Sequence, residues 1–235
     1  MEIINPATDQ LIQTVSMETL NSLQQKHANC KQAQPQWAAR TTEERLRCLA
    51  TFSKLVEANK DRLARVLMLE TGKPIRQAQN ELTGAVSKLQ FFVDHSLEVL
   101  ASRIARLNGV VEETIEYEPL GVIANISAWN YPWLVGINIF APALICGNAV
   151  LYKPSEFATL TGLEIKQLLG ESGVPDEVFQ IIIGDGSVGA QLLDLELDGY
   201  FFTGSYQTGK TVSQKAAQRL APVGLELGGK DPVYV

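Results

Sequence analysis

Apolar positions in the first hundred residues recur at helical spacing. Leu46, Leu49, Phe52 and Val56 follow a capping-box pattern set by Thr41 and Glu44. Leu63, Val66 and Leu67 form a second segment, stopped by Gly72 with Pro74 just beyond. A longer run, Ala78, Leu82, Ala85, Leu89, Phe92, Ser96 and Val99, alternates steps of four and three and predicts one apolar stripe on a long helix. The stripe is short and poor in large residues, so core packing is expected rather than a coiled coil. After Gly109 the texture changes. Residues 110–118 read as an acidic, β-rich exposed strand or arm. From Gly121 on, short apolar runs over 122–126, 149–152, 178–183, 200–202, 223–227 and 233–235 alternate with helical patterns. Those helices are expected over 134–146, 159–169, from Ser187, and over 206–219. This alternation predicts an α/β fold: a doubly wound parallel sheet with an N-terminal helical layer and a short β arm. No linker or repeat divides residues 1–235, which read as one domain.

Composition narrows the class. With 46% hydrophobic and 20% charged residues over 235 positions, the chain is neither disordered nor fibrous. Twenty basic against 26 acidic residues give a net charge of −6 with no like-charge run, which argues against a nucleic-acid or anionic-membrane surface. No apolar stretch reaches the ~18 residues of a membrane span. The N-terminus lacks a basic start and an apolar core, so no signal peptide is expected. Cys30, Cys48 and Cys146, odd in number and far apart, fit reduced thiols and a cytoplasmic location. Each falls on an expected helix, and all three are expected to be buried and inert.

In such sheets ligands gather at the carboxyl ends of the strands, and four of those ends carry suggestive residues. Ser127-Ala128-Trp129-Asn130-Tyr131-Pro132 is either a ligand loop or a helix entry with Ser127 or Asn130 as cap. Lys153-Pro154-Ser155-Glu156 suits phosphate neutralisation and ribose hydrogen bonding, or equally a surface loop. Gly184-Asp185-Gly186-Ser187-Val188-Gly189 matches G-x-G-x-x-G between a strand and a helix, yet it does not follow the first strand and no acid ends the next one. A plain turn capped by Ser187 fits as well. Phe202-Thr203-Gly204-Ser205 opens a helix, with Ser205 as simple cap or its neighbouring amides as a pyrophosphate site.

Taken in order, SAWNYP, YKPSE, GDGSVG, FTGS and LELGGKDP resemble the NAD(P)-dependent aldehyde dehydrogenases over essentially the whole chain. Supporting text lies at Ile4-Asn5-Pro6-Ala7, Glu70-Thr71-Gly72-Lys73-Pro74 and Glu118-Pro119-Leu120-Gly121. The resemblance implies a Rossmann-like cofactor domain, an aldehyde substrate and a homo-oligomer in which 110–118 is an oligomerisation arm. It implies that Asn130 donates to an oxyanion and that Glu226 is a general base for water. Lys153 and Glu156 would contact the adenosine ribose and Ser205 the pyrophosphate. Gly184, Gly186 and Gly189 would allow close cofactor approach. Ser127, Trp129, Ser155, Phe202, Thr203, Gly204 and Leu227 complete the expected cofactor contacts. NAD is expected over NADP, and no metal is implied.

Two departures stand out. Ile139 occupies the place where many members carry a lysine. The family's nucleophilic cysteine lies downstream of the ELGGK segment, and none of the three cysteines here substitutes for it. Asp231 to Val235 runs apolar in what reads as mid-strand, which gives the expectation of a truncated product, roughly the first half of an enzyme and inactive alone. A nucleotide-binding fragment or pseudoenzyme, or a self-associating structural remnant, are the other readings.

Overall fold

The computed structural model describes residues 1–234. At its centre lie five parallel strands: β5 (Val122–Ile126), β6 (Ala149–Lys153), β7 (Phe179–Ile181), β8 (Gly199–Gly204) and β9 (Val223–Leu227). Their spatial order is β7-β6-β5-β8-β9. The chain winds outward from β5 to β7, then returns to lay β8 against the other side of β5. Ile123 therefore pairs with both Val150 and Gly199. That reversal between β5 and β8 is the topological switch point.

Four helices make the crossovers: α5 (Pro132–Ile145), α6 (Thr159–Glu171), α7 (Gly186–Leu193) and α8 (Tyr206–Ala217). β6 is buried along its whole length, as a parallel strand covered on both faces must be. The remaining helices are α1 (Leu20–Ala38), α2 (Thr42–Ala58), α3 (Lys60–Thr71) and α4 (Ile75–Leu100). They do not form one layer. α1 packs directly on the sheet and beside α7, whereas α2, α3 and α4 stack outside α5 and α6.

The helix boundaries follow their sequence signals. Thr41 and Glu44 close the expected capping box, and Gly72 ends α3 in the left-handed region at φ 74°. The C-terminus of α5 is satisfied from α1 and α2: Trp37 Nε1 donates to the Leu144 carbonyl at 2.9 Å and Arg45 Nε to that of Ile145 at 2.7 Å.

Several expectations need correction. The first hundred residues are not all helical: β1 (Glu2–Ile4) and β2 (Leu11–Thr14) form an antiparallel hairpin. With Ile3 alone fully buried within it, the hairpin leaves no alternating pattern to read. The α4 stripe is core at Ala78, Leu82, Ala85 and Leu89, but Phe92 and Ser96 are half-buried and Val99 is exposed, because the helix runs past the body. The arm is a two-stranded ribbon. β4 (Glu112–Ile115) pairs antiparallel with an unforeseen β3 (Arg103–Leu107) around an Asn108-Gly109 turn, and β3 is wholly exposed. The expected strand 233–235 does not form at Val233 and Tyr234, which are unpaired and exposed; Val235 lies outside the described residues.

Candidate functional site

The carboxyl ends of β5, β6, β8 and β9, with the start of α7, enclose an open cleft of about 870 Å³. Every candidate site residue lines it except Gly184: Asn130 and Glu226, then Ser127, Trp129, Lys153, Ser155, Glu156, Gly186, Gly189, Phe202, Thr203, Gly204, Ser205 and Leu227.

The loop after β5 continues the ladder, with Ser127 N donating to the Lys153 carbonyl at 2.9 Å. The Ser127 hydroxyl is buried and has no hydrogen-bond partner among the described residues. Neither Ser127 nor Asn130 caps α5. Tyr131 occupies that position without a side-chain bond, and Pro132 opens the helix. Asn130 is exposed, and its Oδ1 accepts from the Tyr131 amide at 3.1 Å, so its amino group is the part left to meet a ligand.

At the end of β6, Lys153 is buried with its Nζ 3.3 Å from the Pro154 carbonyl. Burial pushes its ammonium pKa down while Glu156 and Asp185 draw it back up. A Cβ at Gly189 would stand 3.4 Å from Lys153 Cε, so glycine there leaves room for the lysine stem. Ser155 caps the short turn Glu156–Ala158, and its hydroxyl lies 3.3 Å from Glu156 Oε2.

The GDGSVG turn differs from a plain phosphate loop. Asp185, not Ser187, caps α7, accepting from the Ser187 amide at 2.8 Å, the Val188 amide at 3.4 Å and the Ser187 hydroxyl at 2.6 Å. Those bonds hold its carboxyl below the ordinary range. Two of the α7 amides, those of Ser187 and Val188, are therefore already matched to a carboxylate. Gly184 serves packing: a Cβ there would fall 2.3 Å from Val188 Cγ2.

Ser205 caps α8 by accepting from the Thr208 amide at 3.2 Å, while Gln207, Thr208 and Thr211 line the cleft. These three were not visible as site residues, since nothing in the sequence marks which face of α8 the cleft touches. On β9, Glu226 is the register partner of Thr203 and Leu227 that of Gly204, so Glu226 stands at the rim, exposed.

A second set escaped the sequence reading. Glu70, Lys73 and Glu81 are all close to the loops that bear site residues. Glu70 holds α6 through Leu160 and Thr161, and Lys73 and Glu81 hold the start of α5. Only the Glu70–Pro74 motif hinted at the first two; a buried acid such as Glu81 in a long amphipathic helix leaves no local signal.

None of the three thiols reaches the cleft. Cys30 and Cys48 are buried, and Cys146 is half-buried at the far end of α5, roughly 20 Å of helix from Asn130. Burial pushes Cys30 up to about 12 and raises the other two. Among the described residues no His, Cys, Asp and Glu cluster could hold a metal, and no helix is long and apolar enough to cross a membrane.

The cleft's volume falls in the range of small-molecule sites. An orphan hydroxyl (Ser127), a buried ammonium (Lys153) and open space above Gly186 fit an anionic dinucleotide laid across the strand ends.

The profile of the "Aldehyde dehydrogenase family" matches residues 1–235. A Mycolicibacterium smegmatis protein provisionally named succinate-semialdehyde dehydrogenase [NADP(+)] is 34% identical over 230 residues, which is 97% of this chain and 44% of that protein. Betaine aldehyde dehydrogenase from Staphylococcus aureus, solved with NAD+, superposes with a TM-score of 0.92 at 30% identity, covering 99% of this chain and 48% of that one. NADP-dependent glyceraldehyde-3-phosphate dehydrogenase from Bacillus halodurans, solved with NADP, gives 0.93 at 31%, covering 99% and 50%. The chain thus spans about half the length of the relatives it matches. The family profile spans the whole chain and the solved relatives share its fold, and the chain belongs to the aldehyde dehydrogenase family.

Proposed function

We propose that this chain is the dinucleotide-binding half of an enzyme that oxidises an aldehyde to a carboxylic acid, with NAD preferred over NADP. One observation carries the reading: Lys153, Glu156, Asn130 and Glu226, from the ends of β6, β5 and β9, face a single cleft. β6 and β9 lie three strands apart, so Lys153 and Glu226 are separated by roughly 14 Å across the sheet, a span suited to an extended ligand.

When bound, the dinucleotide would accept hydride from the substrate carbon. Lys153 neutralises anionic charge, and Glu156 accepts from the ribose hydroxyls while repelling a 2′-phosphate. Because Asp185 already places a carboxylate on the Ser187 and Val188 amides of α7, residues beside the start of α8, Ser205 and Thr208, would hold the pyrophosphate. The Asn130 amino group donates to the oxygen that gains charge when a thiol adds to the carbonyl. Glu226 takes a proton from the water that releases the acid. The attacking thiol comes from outside the three cysteines of this chain. The β3–β4 ribbon, with Ile104, Leu107, Val110 and Val111 exposed, serves a homo-oligomer contact.

Binding without turnover is the second reading, favoured by the distance of Cys146 from the cleft. NADH titration of the purified chain, followed by quenching of Trp129 fluorescence, tests the cofactor half. Saturable quenching that weakens in Lys153→Ala is expected. No binding at millimolar NADH would remove both readings.

A further inference from the structure

The Lys73 ammonium sits at the meeting point of three groups that belong to different elements. It pairs with Glu81 Oε2, donates to the backbone carbonyl of Asn130 at 2.6 Å, and lies 3.8 Å from the centre of the Tyr131 ring. An ammonium has three donors, and all three directions are filled. Glu81 is buried, and its other oxygen accepts from the Trp133 amide at 2.9 Å. One buried ion pair therefore grips the peptide before Tyr131 and the first turn of α5 together. Glu81 lies on α4 and Lys73 in the turn before it, so the grip comes from outside the sheet.

Such a pair is a poor source of net stability, because desolvating both charges offsets their attraction. What it supplies is direction. The Asn130–Tyr131 segment has no side-chain helix cap, and among the described residues the Asn130 carbonyl accepts from this ammonium alone. We propose that Lys73 and Glu81 are positioning residues that orient the Asn130 loop, and with it the Asn130 amide, toward the cleft. The proposal rests on the role given to Asn130 in the proposed function. Glu70, three residues before Lys73, makes the complementary contact to the start of α6, just beyond Glu156. The two side chains thus brace different loops of one cleft.

The test removes both charges at once, in Lys73→Met/Glu81→Leu, so that no lone buried ion is left to unfold the chain. Two measurements are made. In hydrogen exchange, the amides of Tyr131, Trp133 and Leu134 should exchange about tenfold faster while those of β6 stay protected. In titration, NADH affinity should fall about tenfold while ADP, which lacks the nicotinamide end, stays within about twofold. Lys73→Arg, which keeps a cation with donors in reach, should recover most of the NADH affinity. Unchanged exchange at 131–134 would overturn the proposal. So would equal losses for ADP and NADH, the mark of a merely structural rivet. Should the unmutated chain bind neither nucleotide, the functional reading falls, and the exchange result still decides whether the pair holds the loop.

Discussion

Glu70 on α3 caps a helix 91 residues away: its Oε2 accepts from the Thr161 amide at 2.9 Å and the Thr161 hydroxyl at 3.0 Å, with Leu160 N at 2.5 Å from Oε1. The carboxyl is buried, and desolvation pushes it up to about 7 against those three hydrogen bonds, which pull it down. The folded value lies above the ordinary 4.5, so between these pH values the native state holds a proton that the unfolded chain has released. Its contribution to stability is complete below pH 4.5 and is lost as pH rises through 7, by roughly 3 kcal/mol. Urea midpoints of the wild type and Glu70→Gln, taken from pH 4.5 to 8, should converge or cross with that change. Parallel curves would mean that Glu70 titrates at its ordinary value.

What the sequence could show is the sheet and its rim. Continuous apolar runs such as Val122–Ile126 read as buried parallel strands because their burial leaves no alternation to confuse the period. The residues after them were legible as ligand loops because strand ends in wound sheets are where backbone groups go unpaired. Glu70, Lys73 and Glu81 stayed hidden for the opposite reason. Lys73 and Glu81 pair across eight positions, but the cleft elements that the three residues hold lie 52 to 91 positions away, and a buried charge looks in sequence like any solvated one. The GDGSVG turn misled in its cap because both Asp185 and Ser187 can accept backbone amides. The backbone at Asp185 is extended, as a cap requires, whereas Ser187 already lies within the helix.

Cofactor choice should rest on Glu156. Neighbours have been solved with NAD and with NADP, so the fold alone does not set the preference, and the proposed function places it on this side chain. A carboxylate beside the ribose accepts from two hydroxyls but repels a 2′-phosphate, and desolvated like charges oppose each other by several kcal/mol. Calorimetry should give at least about tenfold tighter binding of NAD than NADP. Glu156→Ser should weaken NAD and narrow the gap. Equal affinities in the unmutated chain would sink the assignment.

Removing the α7 cap separates the two anion sites. Asp185→Ala should lower Tm by a few degrees, as loss of an N-cap does. It should leave NADH affinity unchanged or slightly improved, because a negative charge near Lys153 disappears. Ser205→Ala should weaken NADH instead. A large loss of NADH affinity in Asp185→Ala would return the pyrophosphate to the GDGSVG turn.

Self-association should follow from unpaired strand edges. Among the described residues β9 has one neighbouring strand, and the β3–β4 ribbon leaves Ile104 and Leu107 exposed. Light scattering across a concentration series should show a rising mass, reduced by Ile104→Lys/Leu107→Lys. A monodisperse monomer at all concentrations would count against both edges.

The chain alone should not oxidise aldehydes, and the reason lies in its thiols. In the proposed function, Asn130 would stabilise an oxyanion only after something attacks the carbonyl, and Glu226 would assist hydrolysis only once a thioester exists. On that proposal the attacking species is a thiolate at the cleft. Cys30 and Cys48 are enclosed in packing, and burial holds all three thiols in the protonated form. Cys146, the most accessible, sits at the opposite end of α5 from Asn130. Loss of a nucleophile from a comparable catalytic unit lowers the rate about a million-fold and leaves only the residue due to binding and oxyanion stabilisation. NADH production from aliphatic and aromatic aldehydes should therefore stay at background in protein free of host dehydrogenases, and iodoacetamide should label Cys146 slowly and before the other two. Turnover abolished by Cys146→Ser would show that α5 delivers its C-terminal thiol to the cleft after all. Turnover that survives all three cysteine substitutions but fails in Glu226→Gln would mean that the rim carboxylate drives a different chemistry.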